Sequence, residues 1–228
     1  MKQMVLDMGV ATGPTLASFL AGPNEAALQH LRIWASEPAS SANRSPVPCY
    51  LWGASGSGKT HLLRAVREAL REQSARVGWL DASVAEPPEF DEAWSAIMLD
   101  DVHLYTAEQQ QAAFNWFVNA QTHHRAVLAA GARPPADLSL RDDLRTRLGW
   151  GHVFQLQVLS EPERRAVLRK AADARGVFLG DEVMDFMLTR FSRDLGSLME
   201  LLDLVDGYAL QTKRGVTIPL IKSMLDNS

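Results

Sequence analysis

One short segment constrains the fold of this 228-residue chain more than any other. Residues 53–60, Gly-Ala-Ser-Gly-Ser-Gly-Lys-Thr, match the pattern G-x-x-x-x-G-K-[ST]. The apolar run 47–52 precedes this segment and the amphipathic stretch 60–73 follows it, which predicts a strand, a tight loop and a helix. Glycines let such a loop curl until its backbone N–H groups point inward at phosphate oxygens, and the helix adds its positive end. The segment therefore predicts a phosphate loop in an α/β fold.

The lysine and the hydroxyl residue of such a loop have separate roles. Lys59 would reach the β- and γ-phosphates of a nucleotide, and the hydroxyl of Thr60 would ligate Mg²⁺. His61 comes next and is a candidate for a position near the nucleotide, while a partly exposed helix residue is the structural alternative. The candidate nucleotide-binding residues of this segment are Gly53, Ala54, Ser55, Gly56, Ser57, Gly58, Lys59, Thr60 and His61.

An apolar run that ends in two acids is the usual companion of a phosphate loop. The run 96–99 is followed directly by Asp100 and Asp101. The first acid of such a pair orients Mg²⁺, and the second polarises the attacking water. Acids also follow strands for no catalytic reason, so the pair is informative because a phosphate loop precedes it. We predict that Asp100 is a metal ligand together with Thr60, and that Asp101 is catalytic.

The hydrophobic pattern alternates strands and helices up to Leu159 and is helical beyond it. This alternation predicts right-handed βαβ units and a mostly parallel sheet, and Ser160 with Glu163 forms a capping box where the helical part begins. We predict a flexible N-terminal peptide over 1–14, an α/β nucleotide-binding subdomain over 15–159 and a helical subdomain over 160–228. The predicted strands are 47–52, 77–81, 96–99, 126–130 and 152–156, and the predicted helices are 24–36, 60–73, 107–121, 161–175, 181–191, 193–212 and 217–226.

Composition and charge exclude several classes of protein. The chain has 23 Lys and Arg against 27 Asp and Glu, a net charge of −4, which does not fit a strongly basic, non-specific nucleic-acid binder. Its single cysteine, Cys49, cannot form an intrachain disulfide and is interpreted as a core residue. No apolar stretch approaches the roughly 20 residues of a membrane span, and the N-terminus lacks a signal-peptide pattern. The expected location is the cytoplasm, with no membrane partner.

Three arginines are candidates for contact with a nucleotide. Arg145 and Arg147 lie just before the last predicted strand and, taken alone, would be solvated surface residues. In a nucleotide-dependent assembly, an arginine at this place can instead point at the γ-phosphate of a neighbouring subunit. Arg193 opens a predicted helix of the helical subdomain, where an ordinary exposed residue is the alternative.

Together these motifs resemble the AAA+ ATPases of the DnaA type, and more narrowly the DnaA-related regulators of replication. The resemblance runs through nearly the whole chain and implies an AAA+ P-loop NTPase fold, with a parallel sheet followed by a small all-α lid. It implies ADP or ATP with Mg²⁺ as the ligand, Arg147 as an arginine finger acting in trans and Arg193 as the sensor-2 arginine. The segments that carry it are 15–19, 50–53, 133–135, 147–151, 193–198 and 217–219.

The N-terminal run Gln-Met-Val-Leu-Asp-Met over 3–8 resembles the peptide with which such regulators dock on the β sliding clamp of DNA polymerase III. Leu6 and Met8 would enter an apolar pocket while the amide of Gln3 makes hydrogen bonds, although a chance match in a disordered terminus is the alternative. The chain ends at Ser228 without the basic DNA-binding domain of DnaA. The resemblance therefore implies that DnaA and the clamp are partners and that DNA is contacted only indirectly.

One departure from the family pattern bears on catalysis. Related proteins carry a polar or acidic sensor-1 residue at the end of the fourth strand, where this chain has Ala130 and Ala132. We therefore expect weak hydrolysis of its own nucleotide. The leading hypothesis is a negative regulator of chromosomal replication initiation that, with the DNA-loaded clamp, stimulates hydrolysis of DnaA-bound ATP through Arg147. The alternatives are a self-sufficient ATPase that loads or remodels a replication partner and a non-enzymatic adaptor, and a homodimer is left open.

Overall fold

In the computed structural model, the described residues are 14–37, 47–191 and 195–226. They form two compact units. The first unit takes its described residues from Met1–Ala21, Glu25–Trp52 and Lys59–Gln155, and the second takes them from Gly22–Asn24, Gly53–Gly58 and Leu156–Ser228.

The first unit is built on a sheet of five parallel strands in the order β2-β3-β4-β1-β5. Its strands are β1 (Cys49–Trp52), β2 (Arg76–Leu80), β3 (Trp94–Leu99), β4 (Ala126–Gly131) and β5 (His152–Gln155). Its helices are α1 (Glu25–Ser36), α2 (Lys59–Glu72), α3 (Ala107–Thr122) and α4 (Asp142–Leu148), and short 3-10 turns cover Val102–Leu104 and Pro135–Asp137. The predicted parallel α/β fold is confirmed.

The central strand β4 has the burial expected of a strand inside a parallel sheet. All six of its residues are buried, which is typical of a strand covered on both faces by helices. Its neighbours are β3 and β1, with Leu99 beside Ala129 and Leu51 beside Ala130. The carboxyl ends of β3, β4 and β1 therefore meet at one edge of the sheet.

Aromatic side chains fill the core between the sheet and α3. Trp116 and Phe117 of α3 are 1% and 0% exposed, and Tyr50 of β1 is equally buried. The Trp116 ring meets that of Trp94 edge-on, with 4.6 Å between centroids, a favourable aromatic geometry. Cys49 is 1% exposed and burial raises its pKa to about 12, which agrees with its predicted role as a core residue.

Helix α4 is an element that the sequence analysis did not predict. It has only seven residues, and Leu144 and Leu148 are its only buried ones, so it shows no extended hydrophobic periodicity. The charges at its ends interact favourably with the helix dipole: Asp142 and Asp143 lie in the first turn, and Arg145 and Arg147 lie in the last. The arginine segment is therefore helical up to Leu148.

In its described residues, the second unit has the 3-10 turn Gly22–Asn24 and four α-helices: α5 (Glu161–Ala174), α6 (Asp181–Arg190), α7 (Leu195–Thr212) and α8 (Ile218–Asp226). The predicted capping box at the start of α5 is present, and the Ser160 N–H donates to the Glu163 carboxylate over 2.7 Å. A shared core of fully buried residues holds these helices together, including Leu168, Met184, Met187, Leu198, Leu202 and Ile221. Across the described ranges, no helix is both long enough and apolar enough to span a bilayer.

Candidate nucleotide site and arginine finger

The conformation of the phosphate loop depends on its glycines. Gly56 and Gly58 have φ angles of 77° and 93°, a region that side-chain-bearing residues rarely adopt. The Ser57 N–H donates to the Ala54 carbonyl oxygen over 3.3 Å and closes a tight turn. At Gly53 there is no space for a side chain, since a Cβ atom would lie 2.2 Å from the carbonyl oxygen of Leu156.

One polar atom of the loop fits a phosphate ligand directly. The Ser57 side chain is 5% exposed, and its hydroxyl has no hydrogen-bond partner among the residues that the structure describes. A buried hydroxyl is normally satisfied, so one that is not calls for a partner of another kind. A phosphate oxygen held by this loop would accept its hydrogen bond.

Lys59 and Thr60, the first residues of α2, face the acids that follow β3. Lys59 is 7% exposed, and burial lowers its pKa while the charges of Asp101 and Asp100 act in the opposite direction. The Thr60 hydroxyl donates a hydrogen bond to Asp100, which is 3% exposed and whose pKa is raised by burial. A divalent cation at this place would favour the carboxylate form of Asp100. The predicted magnesium ligands, Thr60 and Asp100, are therefore adjacent.

Asp101 has an unusual backbone conformation, with φ 49° and ψ 43° in the left-handed region. It begins the 3-10 turn Val102–Leu104, and its carboxylate Oδ1 lies 3.9 Å from Nδ1 of His103. Burial lowers the pKa of His103; the charge of Asp101 opposes this shift, whereas those of Lys59 and Arg133 reinforce it. His103 is a site residue that the sequence analysis missed, although its place two residues after the second acid could have indicated it.

At Gly131, the last residue of β4, there is no room for a side chain. The Tyr50 hydroxyl donates to the Arg133 carbonyl oxygen over 2.8 Å, and a Cβ atom on Gly131 would lie 2.2 Å from that hydroxyl oxygen. Ala130 is completely buried. Burial and the charge of Asp101 raise the pKa of Tyr50, so its hydroxyl remains protonated and serves as a donor.

Arg147 lies in the last turn of α4 on an aromatic platform, which we define as the rings of Phe114, Phe117 and Trp150. Its guanidinium carbon lies 5.3, 5.9 and 5.4 Å from their centroids, within the range of cation–π attraction. One guanidinium N–H also donates to the amide oxygen of Gln121 over 3.2 Å. Trp150 is 63% exposed, so the platform reaches solvent at this ring, whereas Phe117 is completely buried.

The neighbouring arginines have carboxylate partners, whereas Arg147 has none among the described residues. Nε of Arg141 lies 2.7 Å from Oδ1 of Asp143, and Nη2 of Arg145 lies 2.7 Å from Oδ1 of Asp142. No carboxylate within the described ranges lies at ion-pair distance from Arg147. Within the described ranges, the guanidinium of Arg147 therefore contacts aromatic rings and an amide but no anion, which leaves its charge available for an anion on another molecule.

Several predicted site residues lie elsewhere or cannot be placed. Nε2 of His61 lies 3.3 Å from the Thr15 carbonyl oxygen, and its ring is 5.6 Å from that of Phe19. Its contact with a nucleotide stays a prediction. The sensor-2 candidate Arg193 and the clamp-binding candidates Gln3, Leu6 and Met8 lie outside the described residues.

A phosphate loop after β1, paired acids after β3, a 2-3-4-1-5 parallel sheet and a helical second unit define a P-loop protein of the AAA+ class. Residues 12–85 match the family model of the bacterial DnaA ATPase domain, and residues 161–225 match that of the Hda lid domain. The chain belongs to the DnaA-related AAA+ family.

Individual relatives and solved structures are similar to the chain over most of its length. The chain is 34% identical to an uncharacterized protein of Haemophilus influenzae over 99% of both chains. Its fold is similar to domain III of the Thermotoga maritima replication initiation protein DnaA, with a TM-score of 0.74, 22% identity and coverage of 93% and 95%. It is also similar to AMPPCP-bound DnaA from Aquifex aeolicus, with a TM-score of 0.66, 21% identity and coverage of 87% and 66%. The Holliday junction branch migration motor RuvB of Thermotoga maritima matches more distantly, with a TM-score of 0.59, 15% identity and coverage of 89% and 68%.

The contact between Gly131 and Tyr50 generates a stability prediction. We expect Gly131→Ala to lower the free energy of unfolding by about 2 kcal/mol, since the added methyl group overlaps the Tyr50 hydroxyl. Tyr50→Phe removes that oxygen and one hydrogen bond, at a cost of about 1 kcal/mol. The double variant should lose less than the sum of the two, as measured by urea unfolding; strict additivity would contradict the contact.

Proposed function

We propose that this protein is a negative regulator of chromosomal replication initiation that stimulates hydrolysis of ATP bound to DnaA. In this proposal it binds ADP or ATP with Mg²⁺ at its phosphate loop and, together with the DNA-loaded sliding clamp, presents Arg147 to the γ-phosphate on DnaA. The observation that carries the proposal is the environment of Arg147: a partly buried guanidinium on the aromatic platform, with no carboxylate at ion-pair distance among the described residues.

The chemistry of the guanidinium group suits this role. It is always charged and presents a planar set of donors that matches phosphate oxygens. In phosphoryl transfer, an arginine supplied by a neighbouring molecule stabilises the charge that develops on the γ-phosphate and is worth roughly 10³–10⁵ in rate. Because the platform and Gln121 hold Arg147 in place, little side-chain freedom would be lost when DnaA docks.

The protein's own nucleotide would have a structural role in this proposal. Lys59 would bind its phosphates, and Thr60 with Asp100 would hold Mg²⁺, which neutralises phosphate charge when bound. Asp101 would be the acid for its own turnover, but the end of β4 supplies no polar side chain to help orient water. We therefore expect slow hydrolysis by the isolated protein.

Recruitment would come from the N-terminal peptide. Gln3, Leu6 and Met8 would dock on the β sliding clamp, which places the protein at the replisome and nucleoid in the cytoplasm. DNA would then be reached only through the clamp and DnaA. A homodimer remains compatible with this proposal.

A substitution of Arg147 tests the proposal. We expect Arg147→Ala to reduce clamp- and DNA-dependent hydrolysis of DnaA–ATP at least about 100-fold, because the finger charge is lost. Arg147→Lys should also fail, since an ammonium group lacks the planar set of donors. The measurement is a reconstituted assay of DnaA–ATP conversion to DnaA–ADP.

Arg145→Ala is the matched control for this assay. Arg145 lies on the same helix, but its charge is paired with Asp142, so the variant should retain most of the stimulation. Full stimulation by Arg147→Ala would refute the finger mechanism and favour a non-enzymatic adaptor.

Deletion of the N-terminal peptide tests recruitment separately. We expect removal of residues 1–8 to abolish clamp binding and clamp-dependent stimulation, because the docking side chains are lost. Thermal unfolding of the deleted protein should be unchanged. Stimulation that survives the deletion, in the presence of clamp and DNA, would remove the clamp from the proposal.

A self-sufficient ATPase is the second candidate, favoured by the proximity of Asp100 and Asp101 to Lys59. Steady-state hydrolysis by the isolated protein separates the two candidates. We expect slow turnover, because Ala130 and Gly131 at the end of β4 carry no polar side chain that could orient the attacking water. Fast turnover that Lys59→Ala abolishes would instead support a loader or remodeller that uses its own nucleotide.

A further inference from the structure

The 3-10 turn Val102–Leu104 lies at the carboxyl edge of the sheet. It follows β3 and packs against the carboxyl end of β4, where a Cβ atom on Gly131 would lie 3.2 Å from Cγ2 of Val102. Within the strand end itself, Ala130 and Gly131 carry no polar side chain. The turn therefore brings its own residues to the edge where the acids and Lys59 meet.

His103 is the residue of this turn with polar side-chain atoms. Its side chain is 27% exposed, and its Nδ1 lies 3.9 Å from the carboxylate of Asp101, a distance for charge attraction rather than a hydrogen bond. Lys59 and Arg133 act on it electrostatically from the other elements of the site. Neither ring nitrogen has a hydrogen-bond partner in the ranges that the structure describes.

We infer that His103 distinguishes ATP from ADP at this site, by donating a hydrogen bond from its ring to the γ-phosphate that Lys59 contacts. The inference rests on the proposed binding of a nucleotide at the phosphate loop and adds a specificity residue to that site. The end of β4 has no polar side chain that could contact the γ-phosphate. His103, on the turn after β3, would make this contact instead.

The chemistry of the ring supports this role. Imidazole offers an N–H donor whether neutral or protonated, so the contact needs no particular protonation state. A hydrogen bond to a charged group is stronger than a neutral one, and its loss costs about tenfold in affinity or more. ADP has no γ-phosphate, so its affinity should depend little on His103.

The test compares two nucleotides on three proteins. Dissociation constants for AMPPCP and ADP, each with Mg²⁺, are measured by calorimetry on the full chain, His103→Ala and His123→Ala. His123 is a close match for His103: its side chain is 32% exposed and its Nε2 lies 3.9 Å from the carboxylate of Glu92, outside the site. Thermal unfolding verifies that both variants are folded.

We expect His103→Ala to weaken AMPPCP binding about tenfold and ADP binding less than twofold, with both affinities unchanged in His123→Ala. His103→Gln, which keeps a side-chain N–H donor, should recover part of the AMPPCP affinity. An equal effect of His103→Ala on both nucleotides, or no effect on either, would overturn the inference and leave the proposed function standing. Failure of the unmodified protein to bind either nucleotide would overturn the proposed nucleotide site itself.

Discussion

Parallel pairing of β3 and β1 on the two sides of β4 determines where the chemistry of this protein is located. In a parallel sheet the carboxyl ends of neighbouring strands meet at one edge, and the residues that follow them become neighbours although they are far apart in sequence. Here that edge joins Lys59, Asp100 and the turn that carries His103. Backbone hydrogen bonds of the fully buried strand β4 hold the ends of β3 and β1 on its two sides.

Burial gives the site its electrostatic character. The pKa of Lys59 is lowered and that of Asp100 is raised, so each charge is less favourable here than in water. Phosphate groups and a divalent cation would compensate both charges at once, which is a physical reason for nucleotide affinity. Arg147 is different: it is only partly buried, its guanidinium contacts aromatic rings, and it has no carboxylate partner in the described ranges. One part of the chain is therefore suited to hold a nucleotide, and another is suited to contact an anion on a partner.

Much of this could be predicted from the sequence, because the strongest features are local. The loop pattern, the acids after β3 and the capping box at Ser160 each depend on a few consecutive residues, and the alternation of strands and helices predicted the parallel sheet. Helix α4 was missed because its seven residues carry a single pair of buried leucines at helical spacing, which is too short a pattern to predict a helix. The place of His103, the pairing of Tyr50 with the end of β4 and the aromatic platform under Arg147 depend on contacts between distant segments. No spacing rule in the sequence indicates such contacts.

The central claim is that Arg147 contacts the γ-phosphate on DnaA and stabilises the negative charge that develops on this phosphate during hydrolysis. A transition-state mimic tests this most directly: the affinity of the protein for clamp-assembled DnaA–ADP is measured with and without aluminium fluoride, which imitates the transferring phosphoryl group. Transition-state mimics bind more tightly than ground-state ligands when catalytic groups are in place. The account predicts that fluoride strengthens binding of the unmodified protein and leaves that of Arg147→Ala unchanged. An equal gain for both proteins would contradict it.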